Sequence, residues 1–75
     1  MVALTNMPVG KKGIIRDIAG GYGLLNNLDV MGIRTGIEIT KVSKQWIRGP
    51  VTIRIGNNEI AIGHGMATRI LVELV

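Results

Sequence analysis

The chain has 75 residues, no cysteine, 47% hydrophobic residues, one Trp and one Tyr, and nine Lys and Arg against five Asp and Glu for a net charge of +4. That length supplies one small domain, residues 1–75, and the missing thiols exclude disulfide reinforcement and zinc–cysteine sites. No apolar run approaches the ~18–20 residues that cross a bilayer as a helix, and MVALTNMPVGKK lacks the pattern of a secretion signal, so the chain reads as soluble and cytoplasmic.

Pro8 and Gly10 signal a turn ahead of the first predicted strand. Ile14, Ile15 and Ile18 mark that strand, and the broken alternation across Ile14 and Ile15 predicts a bulge or a strong bend. Gly20 and Gly21 end it. Leu24, Leu28 and Met31 then fall at i, i+4 and i+7, which predicts a helix with one apolar face, and Gly32 suits the left-handed position just past its end. At about nine residues this helix is shorter than the ~12–15 that are even marginal in isolation, so it must dock. Leu24, Leu28 and Met31 are expected to close one end of a barrel. Leu25 and Tyr22 are expected to stay exposed for a partner.

Ile33 to Gly36 reads as a turn. The following GIEITKVS alternates, with Ile37 and Ile39 on one face and Glu38 and Thr40 on the other. KQWIRGP reads as a loop or hairpin tip in which Trp46 either lids the barrel end or makes an exposed contact. Lys41, Lys44 and Arg48 span this loop and read as solvated surface. Val51, Ile53 and Ile55 point inward from the next strand, Gly56-Asn57-Asn58 forms a tight hairpin turn, and Ile60 and Ile62 point inward on the return. GHGMATR breaks the pattern as a single helical turn, and Ile70, Val72 and Leu74 share one face of the closing strand. The prediction is mainly β: a small, highly curved five-stranded antiparallel barrel with one short α-helix inserted after the first strand, closed so that no edge is left exposed.

Catalytic equipment is sparse. Ser43 is the sole serine, His64 the sole histidine, and the five acidic residues form no pair at short spacing, so no catalytic triad or carboxylate pair is expected and the chain is not read as an enzyme. Gly10-Lys11-Lys12 lacks the hydroxyl residue of a phosphate loop, and Gly21-Tyr22-Gly23 lacks the third glycine of a dinucleotide fingerprint. His64, between Gly63 and Gly65, is the candidate ligand for a divalent transition metal, to be joined by Glu38, Glu59 or Asp17 only if the fold gathers them. No cofactor is expected. Tyr22 and Trp46 are too few aromatics for a base-stacking platform or a proline-peptide groove, so no nucleic acid partner is expected.

The pattern resembles the FeoA family, the small cytosolic component of bacterial ferrous iron uptake, and the related SH3-like domain of some iron-dependent repressors. The residues that carry the likeness run along nearly the whole chain. They are Leu4 with Pro8-Val9-Gly10, Ile15 and Ile18 before Gly20-Gly21, Leu24, Leu28, Met31-Gly32-Ile33 and Gly36, then Ala67, Arg69-Ile70 and Val72-Glu73. The resemblance implies an SH3-like barrel and a partner, the FeoB membrane transporter with its cytosolic GTPase domain. It implies an accessory or regulatory module, neither enzyme nor iron carrier. The candidate docking residues are Tyr22, Leu25, Asn26, Asp29 and Trp46. Asn26, Asn27 and Asp29 stand where relatives often carry more Arg and Glu. Two other readings are a metal-responsive SH3-like module and a small basic nucleic-acid-binding barrel.

Overall fold

Branched aliphatic residues at alternate positions build most of six strands, with helical turns or a helix inserted in three of the links between them. The computed structural model describes residues 1–44 and 49–75. In chain order the elements are β1 (Val2–Ala3), a 3-10 turn (Leu4–Asn6), β2 (Lys12–Ile18), α1 (Tyr22–Val30), β3 (Glu38–Lys44), β4 (Val51–Ile55), β5 (Asn58–Ile62), α2 (His64–Ala67) and β6 (Ile70–Leu74). The strands pair antiparallel in the order β1-β6-β2-β3-β4-β5. The 3-10 turn packs against α2 and β6. No helix among the described residues is long and apolar enough to cross a membrane.

The mainly β, SH3-like architecture matches the expectation, with one strand more, but the sheet is not closed edge to edge as expected. Among the described residues β1 and β5 stand at the two ends of the ladder and do not pair with each other, because β1 has only two residues and both pair with β6. β1 is two residues long, too short for alternation to announce it, so α1 follows the second strand rather than the first. In β2 the buried positions are Gly13, Ile15 and Ile18, a step of two followed by a step of three. The longer step arises because the register against β6 shifts between Ile15 and Asp17, which makes Arg16 the bulged residue. The bulge thus lies just past the Ile14–Ile15 pair. Gly56 and Asn57 form the two-residue loop of the β4–β5 hairpin, whose last pair is Ile55 with Asn58.

Leu4, Met7, Ile15, Ile18, Leu28, Ile33, Ile39, Val51, Ile53, Ile62, Ala67, Ile70 and Val72 form the core. Leu74, expected inward, is exposed at the end of β6, where the sheet no longer has a layer to cover it. Ile37, Ile55 and Ile60 are only half-buried.

Lys41 departs furthest from its expectation. It lies in β3, on the same face as Ile39, and is fully buried. Its Nζ donates to the carbonyl oxygens of Leu4 at 2.9 Å and Thr5 at 3.1 Å. Its backbone also bonds Gly10 N to its own oxygen at 2.7 Å and its own N to Lys11 O at 3.0 Å. One residue therefore fastens the N-terminal segment at several points. Replacing it by Met keeps the stem but removes the donors, leaving carbonyls to be satisfied otherwise. Lys41→Met is expected to cost about 1–3 kcal/mol in urea unfolding, with amide protection lost first across residues 3–7. Unchanged stability would show that these hydrogen bonds do not hold the segment.

Gly13 is a second packing constraint. A Cβ there would fall onto Val72 Cγ1, with Glu73 O 3.0 Å away. Valine is stiff about χ1 and cannot swing aside freely. Gly13→Ala is expected to destabilise by about 1–3 kcal/mol, and adding Val72→Ala should cost less than the sum of the single changes. Strict additivity in denaturant melts would rule out this contact as the cause.

Candidate partner-binding cleft

α1 has nine residues and an N-terminal end with no side-chain cap, at Gly21. Its stability comes from docking and from its C-terminal end. There Gly32, at φ 85°, donates to Asp29 O at 2.9 Å, and Ile33 N donates to Leu28 O at 2.8 Å. This is the Schellman pattern, and its apolar contact is present: Leu28 and Ile33 both enter the core. Gly32 takes the left-handed position its sequence suggested. Met31 does not join the buried face as expected. It sits at the helix end, 36% exposed, and the reversal at Gly32 hands its place to Ile33.

The chain then turns through Arg34 and Thr35, with Ile37 N bonded to Arg34 O at 3.4 Å and Gly36 N to Ile15 O at 2.7 Å. These bonds hold the turn against β2. Between α1, this turn and the end of β2 opens a cleft of about 380 Å³. Ile18, Leu25 and Ile33 give it apolar walls, and Asp17, Asn26, Asp29, Arg34 and Thr35 give it polar ones. Arg34 Nε lies 3.3 Å from Asp29 Oδ1, both side chains being exposed. Asp17 Oδ1 accepts the amide of Ile18 at 2.9 Å.

Of the residues expected to meet a partner, Leu25, Asn26 and Asp29 come together in this cleft. Leu25 is half-buried rather than exposed, because it shares the packing of Leu24 and Leu28 against the barrel. Tyr22 is 86% exposed at the start of the same helix, outside the cleft. Trp46 lies outside the described residues. Asp17, Ile18, Ile33, Arg34 and Thr35 were not foreseen as cleft residues. Their only sequence signal is adjacency to the glycine joints that bracket α1.

His64 opens α2 and is half-buried, its carbonyl accepting Thr68 N at 3.0 Å. Among the described residues no three His, Cys, Asp or Glu gather in a way that holds a metal ion, so Glu38, Glu59 and Asp17 do not assemble around it. Among the described residues, four of the chain's nine basic residues are engaged within the fold. Lys41 is buried, and Arg16, Arg34 and Arg54 pair with Glu73, Asp29 and Glu59.

The FeoA domain profile matches residues 2–74. The chain belongs to the FeoA family. FeoA is not a family of enzymes. A relative from Methanocaldococcus jannaschii, assigned as Fe(2+) transport protein A, is 38% identical over 64 residues, covering 85% of this chain and 76% of its own. The crystal structure of an iron uptake regulatory protein (FeoA) superposes with a TM-score of 0.87 at 35% identity, covering 99% of this chain and 96% of the other. A manganese-dependent transcriptional repressor shares the fold, with a TM-score of 0.88 at 18% identity over 97% of this chain and 41% of the repressor.

The geometry separates the residues that build this FeoA cleft from those that line its rim. Gly32→Ala forces a side chain into the left-handed region and is expected to cost about 1–2 kcal/mol. Asp29→Asn removes only an exposed ion pair and is expected to cost less than about 1 kcal/mol. Thermal melts of the two variants check the order; a reversal would mean that the Asp29–Arg34 pair, not the helix end, holds the cleft together.

Proposed function

We propose that this FeoA protein is a cytosolic accessory of ferrous iron uptake. It docks on the cytosolic part of a FeoB-type membrane transporter through the outer side of α1 and the cleft beside it, and so modulates transport. The family membership and the Fe(2+) transport role named for the Methanocaldococcus relative support the process. The observation that supports the surface is the uneven use of α1. Only Leu28 of the helix is fully buried, while Tyr22 and Val30 are 86% and 88% exposed and Asn26 and Asp29 face solvent. Aromatic and apolar side chains presented on an exposed helix supply anchors for a protein interface, where a few residues dominate the affinity.

The test is a calorimetric titration of the soluble cytosolic region of the transporter into the full chain. Saturable binding in the micromolar range is expected, weakened at least tenfold by Val30→Asp or Asp29→Lys. Each variant should keep the parent's melting profile, since neither position is buried. Absence of binding at high micromolar concentration, with the folded protein verified, overturns the proposal.

A further inference from the structure

We infer that the cleft beside α1 receives a protein segment that presents a lysine or arginine next to a bulky aliphatic side chain. The inference rests on the docking reading above and specifies what fits there. The argument is charge against context. The chain carries +4 overall, yet the polar wall of this cleft holds two carboxylates, Asp17 and Asp29, against one guanidinium, Arg34. Asp17 bonds the amide of Ile18, and no basic side chain among the described residues bridges it.

Asp29 is the more loosely held of the paired carboxylates. Its contact with Arg34 is 3.3 Å, whereas the Arg16–Glu73 and Arg54–Glu59 pairs close to 2.6 and 2.7 Å. Charge-assisted bonds settle near ~2.7–2.9 Å, so an incoming cation competes most easily at Asp29. Asn26 and Thr35 add an amide and a hydroxyl on the same walls. An acidic segment drawn by Arg34 would have to approach both carboxylates. Charge alone is insufficient, because each exposed ion pair adds at most about fivefold in affinity. The aliphatic half of the segment is required by the walls formed by Ile18, Leu25 and Ile33, which offer an apolar side chain removal from water.

The experiment titrates three capped tripeptides into the ¹⁵N-labelled full chain and follows its amide spectrum. They are acetyl-Leu-Arg-Leu-amide, its Glu-centred counterpart, and acetyl-Ala-Arg-Ala-amide. The expected result is saturable shifts at Asp17, Leu25, Asn26, Asp29 and Thr35 with the first peptide only. They should weaken severalfold between about 0.03 and 0.3 M salt, and at least fivefold in the Asp17→Asn/Asp29→Asn double variant. That variant leaves the core untouched, and an unchanged spectrum elsewhere verifies its fold. Equal binding of the Glu-centred or Ala-flanked peptide, shifts on another face, or no shifts at millimolar peptide overturns the inference. Peptide failure with intact binding of the transporter's cytosolic region removes this inference and leaves the docking reading. Peptide binding without transporter binding supports the cleft chemistry and removes the docking reading.

Discussion

The side-chain nitrogen of Lys41 lies in the interior, 2.9 and 3.1 Å from two consecutive carbonyl oxygens of the N-terminal 3-10 turn. That turn brings Leu4 into the core, and Met7 follows directly behind it. β1 has two residues and pairs with β6 through only Val2 and Ala3, a ladder too short to position such a plug. The strand residue that reaches across supplies what β1 lacks. A buried polar group is costly unless satisfied, and here the requirement runs both ways. The lysine needs the carbonyls, and the oxygens of Leu4 and Thr5, which open the turn, take its ammonium as donor, Leu4 O alongside the Met7 amide that closes the turn at 3.2 Å. These hydrogen bonds join the apolar packing of Leu4 and Met7 in closing the barrel end.

A comparable division of labour governs the opposite commitment, the exposed helix. α1 is too short to stand alone and contributes one fully buried side chain, Leu28. Its firm end is the C-terminal one, where the reversal at Gly32 carries Ile33 into the core beside Leu28. Anchoring a helix by its end and one side chain leaves most of its circumference unused by the fold. The turn at Arg34 and Thr35, tied back to Ile15, then stands at a fixed distance from that helix. The cleft is the space this arrangement leaves, and its walls are as rigid as the reversal that sets them.

How far sequence alone reaches can be read from these residues. α1 and its stop at Gly32 were apparent, because helical spacing and a glycine past the last turn are local signals. Two strands were apparent from equally local signals: Val51 and Ile53 alternate with Thr52 and Arg54, and Ile70 and Val72 lie two apart in a short apolar run. Lys41 was not apparent. A lysine reads as solvated, and its partners are main-chain oxygens 36 and 37 residues away that carry no side-chain signature. β1 escaped because two residues hold no period. The cleft was half visible: Leu25, Asn26 and Asp29 belong to one helix, but Asp17 and Arg34 arrive from separate segments through strand register. The position of the bulge at Arg16, which settles the facing of Asp17 and Ile18, depends on a pairing with β6 that only the fold reveals.

The placement of β6 bears on how the molecule comes into being. It is the last of the described strands, yet it lies between β1 and β2, aligning Leu74 with Gly13 and Val72 with Val2. During synthesis, then, β1 has no neighbour to hold it until residues 70–74 leave the ribosome. The β2–β3 pairing and the β4–β5 hairpin can form earlier, but Ile15 and Ile18 remain uncovered on the β6 side meanwhile. Pairings so distant in sequence carry a loop-closure cost before they return anything, and partly assembled sheets are sticky. The sheet is therefore completed by its most sequence-distant pairings, those that insert β6 between β1 and β2.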